Sequence, residues 1–183
     1  MGGAVPMRSC AVHASGPQHS RPVHNSTMIT IRPSRPEDGP RAVEIWRQAV
    51  DATHHFLLPE DRAALDALVS SFLPQAPLWL AVDAQDHPLA FMLIDNGHME
   101  ALFVDPAARG QGLGAALVRH GLSLHAQMST DVNEQNAQAV GFYEKMGFRR
   151  TGRSAVDGQG RPYPLIHLKY EEQTPATGKD DGL

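Results

Sequence analysis

The stretch Asp105–Leu117, DPAARGQGLGAAL, gathers the residue types best suited to hold an anionic ligand. Gly110, Gly112 and Gly114 alternate behind Arg109, with Ala115 and Ala116 following. Such a loop lets a ligand come up against the main chain. Free amides at a helix start, backed by the positive end of the helix dipole, favour phosphate oxygens. Charge-assisted bonds of this kind are worth roughly 1.5–3 kcal/mol each, so a few suffice for micromolar binding. A turn needing glycine for geometry alone would be met by one; three with a flanking arginine exceed that. Two common phosphate-binding patterns do not fit. Gly110-x-Gly112-x-x-Ala115 can be laid on the dinucleotide fingerprint, but there the first glycine follows at once on an opening strand. Here Asp105–Arg109 intervene, Pro106 ends the strand, and too little chain remains for a second nucleotide-binding half. No Gly-Lys-Ser/Thr follows, which removes the P-loop.

A second group of residues can move protons. His98 and Glu100 lie two apart in HMEALFV, so a strand there presents both on one face. An imidazole titrating near neutrality suits proton removal, and the carboxylate can orient it or act itself. The same pair also fits a polar cross-strand face with no chemistry. His54 and His55 read as solvated loop histidines, and no metal-ligand spacing joins them.

These residues need elements to position them. Met28–Arg32 alternates as a short strand, and a helix runs from about Pro36 with Val43, Trp46, Ala49 and Val50 at helical spacing. Glu60–Phe72 predicts a second helix with Leu65, Leu68, Val69 and Phe72 on one face. Residues 78–83 and 88–95 read as a hairpin around Ala84–His87, followed by a strand over 98–104. A helix follows the glycines to about Ala126, then a strand over 128–132 and a helix from Gln135 to Met146, stopped by Gly147. Phe148–Ser154 and Pro162–Tyr170 are the last strands. The order βαα-βββ-αβ-αββ mixes antiparallel pairs with a crossover, an α/β class with a mixed sheet.

Composition bounds the rest. The 183 residues suit one domain, and a net charge of −4 argues against nucleic acid as the main partner. The single cysteine, Cys10, cannot form an intramolecular disulfide, and no apolar run has spanning length. These features point to a cytoplasmic protein without a membrane or metal partner. Residues 1–27 lack an apolar period and read as a disordered extension. The folded domain is expected over 28–170, with 171–183 as a flexible tail.

Two stretches in this order carry a family resemblance. VDPAARGQGLGAALV, Val104–Val118, resembles the acetyl-CoA loop of the GNAT N-acetyltransferases, Arg/Gln-x-x-Gly-x-Gly/Ala, with Arg109, Gly112 and Gly114 at the pattern positions. NEQNAQAVGFYEKMGF, Asn133–Phe148, is similar to the family's second cofactor motif, an asparagine followed by Phe-Tyr-x-x-x-Gly-Phe. The resemblance spans Met28–Tyr170. It implies the GNAT fold: a central mixed, mostly antiparallel sheet of six to seven strands with about four helices. Its parallel fourth and fifth strands, here 98–104 and 128–132, splay to hold the cofactor.

What the resemblance implies for single residues is specific. Backbone groups of Leu102, Phe103 and Val104 would bind the pantetheine arm and polarise the thioester carbonyl. Arg109, Gly110, Gln111, Gly112, Leu113, Gly114 and Ala115 would hold the pyrophosphate. Asn136 would contact the arm, with Asn133 a second position; Asn136 equally fits a helix cap. Tyr143 would protonate the departing thiolate, or else pack in the core. His98 or Glu100 would accept the proton of the attacking ammonium, with Asp131 on the neighbouring strand as a further candidate. His54 and His55 fall at the lip of the acceptor site. The implied activity is direct attack of a primary amine on acetyl-CoA in a ternary complex, with a small-molecule amine or peptide as acceptor and a monomer or homodimer as the assembly. A non-catalytic acetyl-CoA sensor shares every glycine and differs at Tyr143 and the base, and both positions carry usable chemistry here.

Overall fold

A computed structural model describes residues 28–172. The extension expected over 1–27 and residues 173–183 of the expected tail lie outside the described residues. Seven strands form one sheet in the order β1-β2-β3-β4-β5-β7-β6. In chain order the elements are β1 (Thr30–Pro33), α1 (Gly39–Thr53), α2 (Pro59–Phe72), β2 (Trp79–Val82), β3 (Pro88–Asp95), β4 (His98–Val104), α3 (Leu113–Leu124), β5 (Ser129–Asn133), α4 (Ala137–Lys145), β6 (Phe148–Ser154) and β7 (Leu165–Tyr170). Every neighbouring pair is antiparallel except β4 and β5.

The sheet is buried on both faces at its centre, which explains the unbroken apolar run of β3. Ala90 and Met92 pack toward α3 and α4, while Phe91 and Leu93 pack toward α1 and α2. In α1, Ala42, Ile45, Trp46, Ala49 and Val50 recur at helical spacing and are all buried. In α2 the apolar stripe is narrower than the sequence suggests. Leu65 and Val69 are buried, but Leu68 is 39% exposed. It precedes Val69 directly and so sits about 100° round the helix from the contact line.

Element ends shift for local reasons. Met28 is exposed and the first strand starts at Thr30. Helix α4 starts at Ala137 rather than Gln135, because Asn133 Oδ1 accepts from the Gln135 N–H (2.9 Å) and Asn136 Oδ1 caps the Ala139 N–H (3.2 Å). The last strand starts at Leu165 rather than Pro162. Asp157 Oδ1 accepts from the Gln159 and Arg161 amides and holds the preceding segment as a turn.

Two irregularities interrupt the sheet at its centre. Between β3 and β4 the register runs Leu93↔Ala101 and then Ile94↔Met99, leaving Glu100 as the extra residue of a β-bulge. The parallel β4–β5 pair has only the rungs His98↔Ser129 and Met99↔Thr130, after which the strands part. The Thr130 hydroxyl donates to the Met99 carbonyl (2.9 Å) at the last rung. The α1–α2 core draws on β2, β3 and β4 and on no residue of β5, β6 or β7. On that face the far half of the sheet carries polar side chains instead.

Candidate active site

The glycine loop sits where strand β4 gives way to helix α3. A short turn over Pro106–Ala108 is fixed by Asp105, whose carboxylate accepts from the Ala107 N–H (2.8 Å) and is held by the Arg41 guanidinium from α1. Gly110 (φ 78°) and Gly112 (φ 74°) occupy the left-handed region, and an added Cβ at either would meet nothing within 4 Å. Backbone conformation, not crowding, demands glycine there. Gly114 differs: it lies within α3, and its Cβ would stand 3.4 Å from the Phe142 ring. The first bond of α3 runs from the Ala116 N–H to Gly112 O (2.9 Å), so the amides of Leu113, Gly114 and Ala115 precede the helical ladder.

Arg109 lies beside these amides, half-buried. Its Nε and Nη2 are buried without a hydrogen-bond partner, and burial pulls its pKa below the ordinary value while Asp105 opposes. A buried cation without a matching anion is costly. The donor set (an orphaned guanidinium, three free amides and a helix N-terminus) fits a pyrophosphate.

Beyond the last rung of the parallel pair, Glu100, Ala101, Leu102, Phe103 and Val104 continue β4 without pairing to β5. Tyr143 of α4 is fully buried and packs edge-on between Phe142 (5.1 Å) and Phe148 (5.4 Å). Burial holds its pKa well above the ordinary tyrosine value, with the Thr130 side chain opposing, so the hydroxyl stays protonated. Thr130 lies on the last rung, which puts Tyr143 at the point where the strands part. Asn133, at the end of β5, is 1% exposed and its buried Nδ2 lacks a hydrogen-bond partner. Asn136 serves as the α4 cap described above.

Glu100 is 3% exposed, so it belongs to no solvated polar face. His98 is half-buried; its Nδ1 meets Ser129 Oγ at 2.8 Å and its Nε2 lies 3.7 Å from Asp131 Oδ2. Asp131 also meets His167 Nδ1 of β7 at 2.6 Å, and His167 Nε2 meets Ser154 Oγ of β6 at 2.7 Å. His167 and Ser154 escaped the sequence reading because nothing local marks them. A strand glycine, Gly152, opposite His167 was the available signal.

The α1–α2 connection meets the segment between β6 and β7. His54 is buried rather than solvated, with its Nδ1 2.6 Å from Thr53 Oγ1, while His55 is exposed. Tyr163 of the β6–β7 segment donates its hydroxyl proton to Asp61 Oδ2 (2.5 Å) and accepts from the Leu58 N–H (3.2 Å). Phe56 packs against both the His54 ring (5.2 Å) and Tyr163 (6.0 Å). Sequence reasoning missed this latch, whose partners are about a hundred residues apart. Among the described residues, no group of three or more His, Cys, Asp or Glu could hold a metal ion, and no helix is long and apolar enough to cross a membrane.

A mixed sheet with a splayed parallel pair, a β4 bulge and a glycine loop opening α3 defines the class of fold. Residues 52–161 match the model of the acetyltransferase (GNAT) domain. The chain therefore belongs to the GNAT acetyltransferase family, whose members move acetyl from acetyl-CoA to amines. It is 59% identical over 143 residues to the peptidyl-lysine N-acetyltransferase YjaB of Salmonella typhimurium, covering 78% of this chain and 99% of that protein. The solution structure of the apo form of YjaB from Escherichia coli is similar with a TM-score of 0.75 at 57% identity, covering 78% of this chain and 97% of that one. A PaiA N-acetyltransferase from Thermoplasma acidophilum, solved in complex with coenzyme A, shares the fold at 18% identity (TM-score 0.58; 79% of this chain, 99% of that one). The protein is accordingly an N-acetyltransferase, and the non-catalytic sensor is set aside.

Proposed function

We propose that this enzyme transfers acetyl from acetyl-CoA to the Nε amine of a lysine in a peptide or protein. The observation that carries this reading is the 59% identity to a peptidyl-lysine N-acetyltransferase across 99% of that protein's length. The site supplies the chemistry such a transfer needs. Arg109 and the amides from Gly110 to Ala115 bind the pyrophosphate. Unpaired β4 backbone at Leu102, Phe103 and Val104 binds the arm and polarises the thioester carbonyl. Asn133 offers its buried Nδ2 to the arm, while Asn136 fixes the helix start beside it. Acetyl-CoA, when bound, supplies the activated acyl group.

Lysine amines titrate near 10 and arrive protonated at neutral pH. His98 and Glu100 flank the last paired rung, Met99↔Thr130, and form the pair through which that proton leaves: Glu100 sits at the fork and the half-buried His98 reaches solvent. The freed lone pair attacks the carbonyl, Tyr143 donates its phenolic proton to the departing thiolate, and the second proton lost by the acylated nitrogen returns Tyr143 to its neutral form. The test is incubation of the full chain with acetyl-CoA and lysine-bearing peptides, read by thiol release and by mass on the Nε. Acetylation of peptidyl lysine, blocked when the Nε is dimethylated, supports the reading. Thiol release with small amines alone would overturn the peptidyl assignment.

A further inference from the structure

On the far half of the sheet face against which α1 and α2 pack, beyond the strands those helices cover, side chains from four strands form one line. It runs from Ser154 (β6) through His167 (β7) and Asp131 (β5) to His98 (β4), which also meets Ser129. We propose that His167 is a positioning residue for acetyl transfer: it holds Asp131 so that the second carboxylate oxygen faces His98 when His98 takes the acceptor's proton. The inference rests on the reading of His98 as part of the proton-accepting pair.

The proton inventory gives the line a direction. An ionised carboxylate only accepts, so His167 Nδ1 carries the proton shared with Asp131 Oδ1 at 2.6 Å. In the neutral ring Nε2 then accepts from the Ser154 hydroxyl at 2.7 Å. Both ring nitrogens of His167 are thereby committed, and its ring orientation is fixed. The carboxylate it holds places Oδ2 3.7 Å from His98 Nε2, beyond hydrogen-bond length but within reach of an ion pair. When the acceptor's N–H bond breaks, the bonding pair stays on nitrogen for attack and the proton adds to His98. The new imidazolium then meets a carboxylate already oriented toward it, the arrangement of a base steadied by a third group.

The packing favours this use over accident. Asp131 and His167 are direct cross-strand partners, and Gly152 opposes His167 from β6. A Cβ on Gly152 would press within 3.3 Å of the imidazole Cδ2, so glycine makes room for the ring. The line ends at the rung His98↔Ser129, one step before the parallel strands part. Other charged groups bear on His98 and are common to all variants below. Register places Asp95 of β3 opposite His98 and Lys169 of β7 opposite Ser129, with Arg149 of β6 opposite Lys169; Glu100 lies on β4 itself.

The experiment compares pH profiles of kcat/KM for a lysine peptide at saturating acetyl-CoA in the wild type, His98→Ala, His167→Leu and His167→Asn. In His167→Leu, kcat should fall about tenfold with KM for acetyl-CoA unchanged, and the acid limb should move to lower pH. His167→Asn keeps an N–H donor near the Nδ1 position and cannot titrate, so it should restore both. The His98 imidazole titration, followed by NMR and assigned with His98→Ala, gives a readout independent of turnover and should move to lower pH in His167→Leu alone. If His98→Ala removes the acid limb while His167→Leu matches the wild type in limb and NMR midpoint, the positioning role fails and the reading of His98 stands. Equal impairment of the Leu and Asn variants likewise overturns the role. If the acid limb survives in His98→Ala, the reading of His98 falls and the inference with it.

Discussion

At the start of α3 the groups offered to a ligand are main-chain amides, with one guanidinium beside them, held by a local turn. Across β4, β5, β7 and β6 they are side chains, each brought by a different strand and each steadied by the next. The first arrangement suits a ligand part that never varies, because backbone geometry is set by φ and is indifferent to most substitutions. The second suits proton handling and an acceptor whose neighbours vary. It depends on distances that only tertiary packing maintains. Tyr143 stands at the boundary, anchored in the apolar core yet placed where the parallel strands part. The two regions should therefore fail differently when altered: one in cofactor affinity, the other in turnover or acceptor affinity.

The largest effect belongs to the boundary. Tyr143→Phe removes one hydroxyl from a fully buried ring without opening a cavity. Turnover should fall about 10²–10⁴-fold, with acetyl-CoA affinity nearly intact, as loss of a positioned acid predicts. Steady-state kinetics alongside calorimetric acetyl-CoA binding checks this. Turnover within a factor of two of wild type, with chemistry rate-limiting, would reduce Tyr143 to core packing. Arg109→Ala should do the reverse. If the guanidinium pairs with the pyrophosphate as proposed, its loss should weaken acetyl-CoA by roughly 1.5–3 kcal/mol, about 10- to 100-fold, with kcat at saturation little changed. An unchanged dissociation constant would detach the buried guanidinium from the cofactor.

This division also decides what could be read from the chain alone. The loop from Asp105 to Ala115 is contiguous, so residue type and spacing marked it as a candidate anion site, whereas Tyr143 entered only through the family resemblance. Strand alternation and helical periodicity placed all eleven strands and helices but missed several ends, among them those where Asn133, Asn136 and Asp157 start turns with their side chains. The bulge at Glu100 left no mark, because nothing in HMEALFV says which residue is extra. His167, Ser154 and the Tyr163–Asp61 latch were invisible for a related reason. Their partners lie 13 to 102 residues away, and pairing register, which decides who meets whom, is not a local property.

Within the glycine loop, two neighbours sharpen the contrast between conformation and packing. Gly112→Val forces a β-branched residue to φ 74°. Strain of about 1–3 kcal/mol should appear as lost stability and weaker acetyl-CoA binding together. Gly114→Ala keeps an ordinary helical φ and asks Phe142 to accept a methyl at 3.4 Å. Helix propensity favours alanine by about 1 kcal/mol, so stability should be unchanged or slightly raised. Thermal melts with and without acetyl-CoA separate the two. Equal losses in both variants would mean that crowding rather than φ governs the loop.

The smallest effect should lie in the latch between Tyr163 and Asp61. Tyr163 is buried, its hydroxyl donates to Asp61 and accepts from the Leu58 amide, and Arg161 lies 3.5 Å from the same carboxylate. Tyr163→Phe keeps the ring against Phe56 and removes only these two bonds. It should cost about 1 kcal/mol of stability, since the freed Asp61 keeps both Arg161 and solvent. KM for a lysine peptide should rise severalfold, because the α1–α2 connection loses its tie to the β6–β7 segment, while acetyl-CoA binding stays as in the wild type. The pH dependence has a definite sign. Burial first, then the Asp61 hydrogen bond, raise the Tyr163 pKa above its ordinary value near 10. A raised folded-state pKa means the latch contributes fully below the unfolded value and is lost as pH climbs through the folded one. The melting-temperature gap between wild type and Tyr163→Phe should thus be constant through neutrality and close only above about pH 10. A gap that closes instead on acidification would mean that Asp61 protonation controls the latch. An acetyl-CoA affinity that falls with the peptide's would mean that the two regions are not separable at this point.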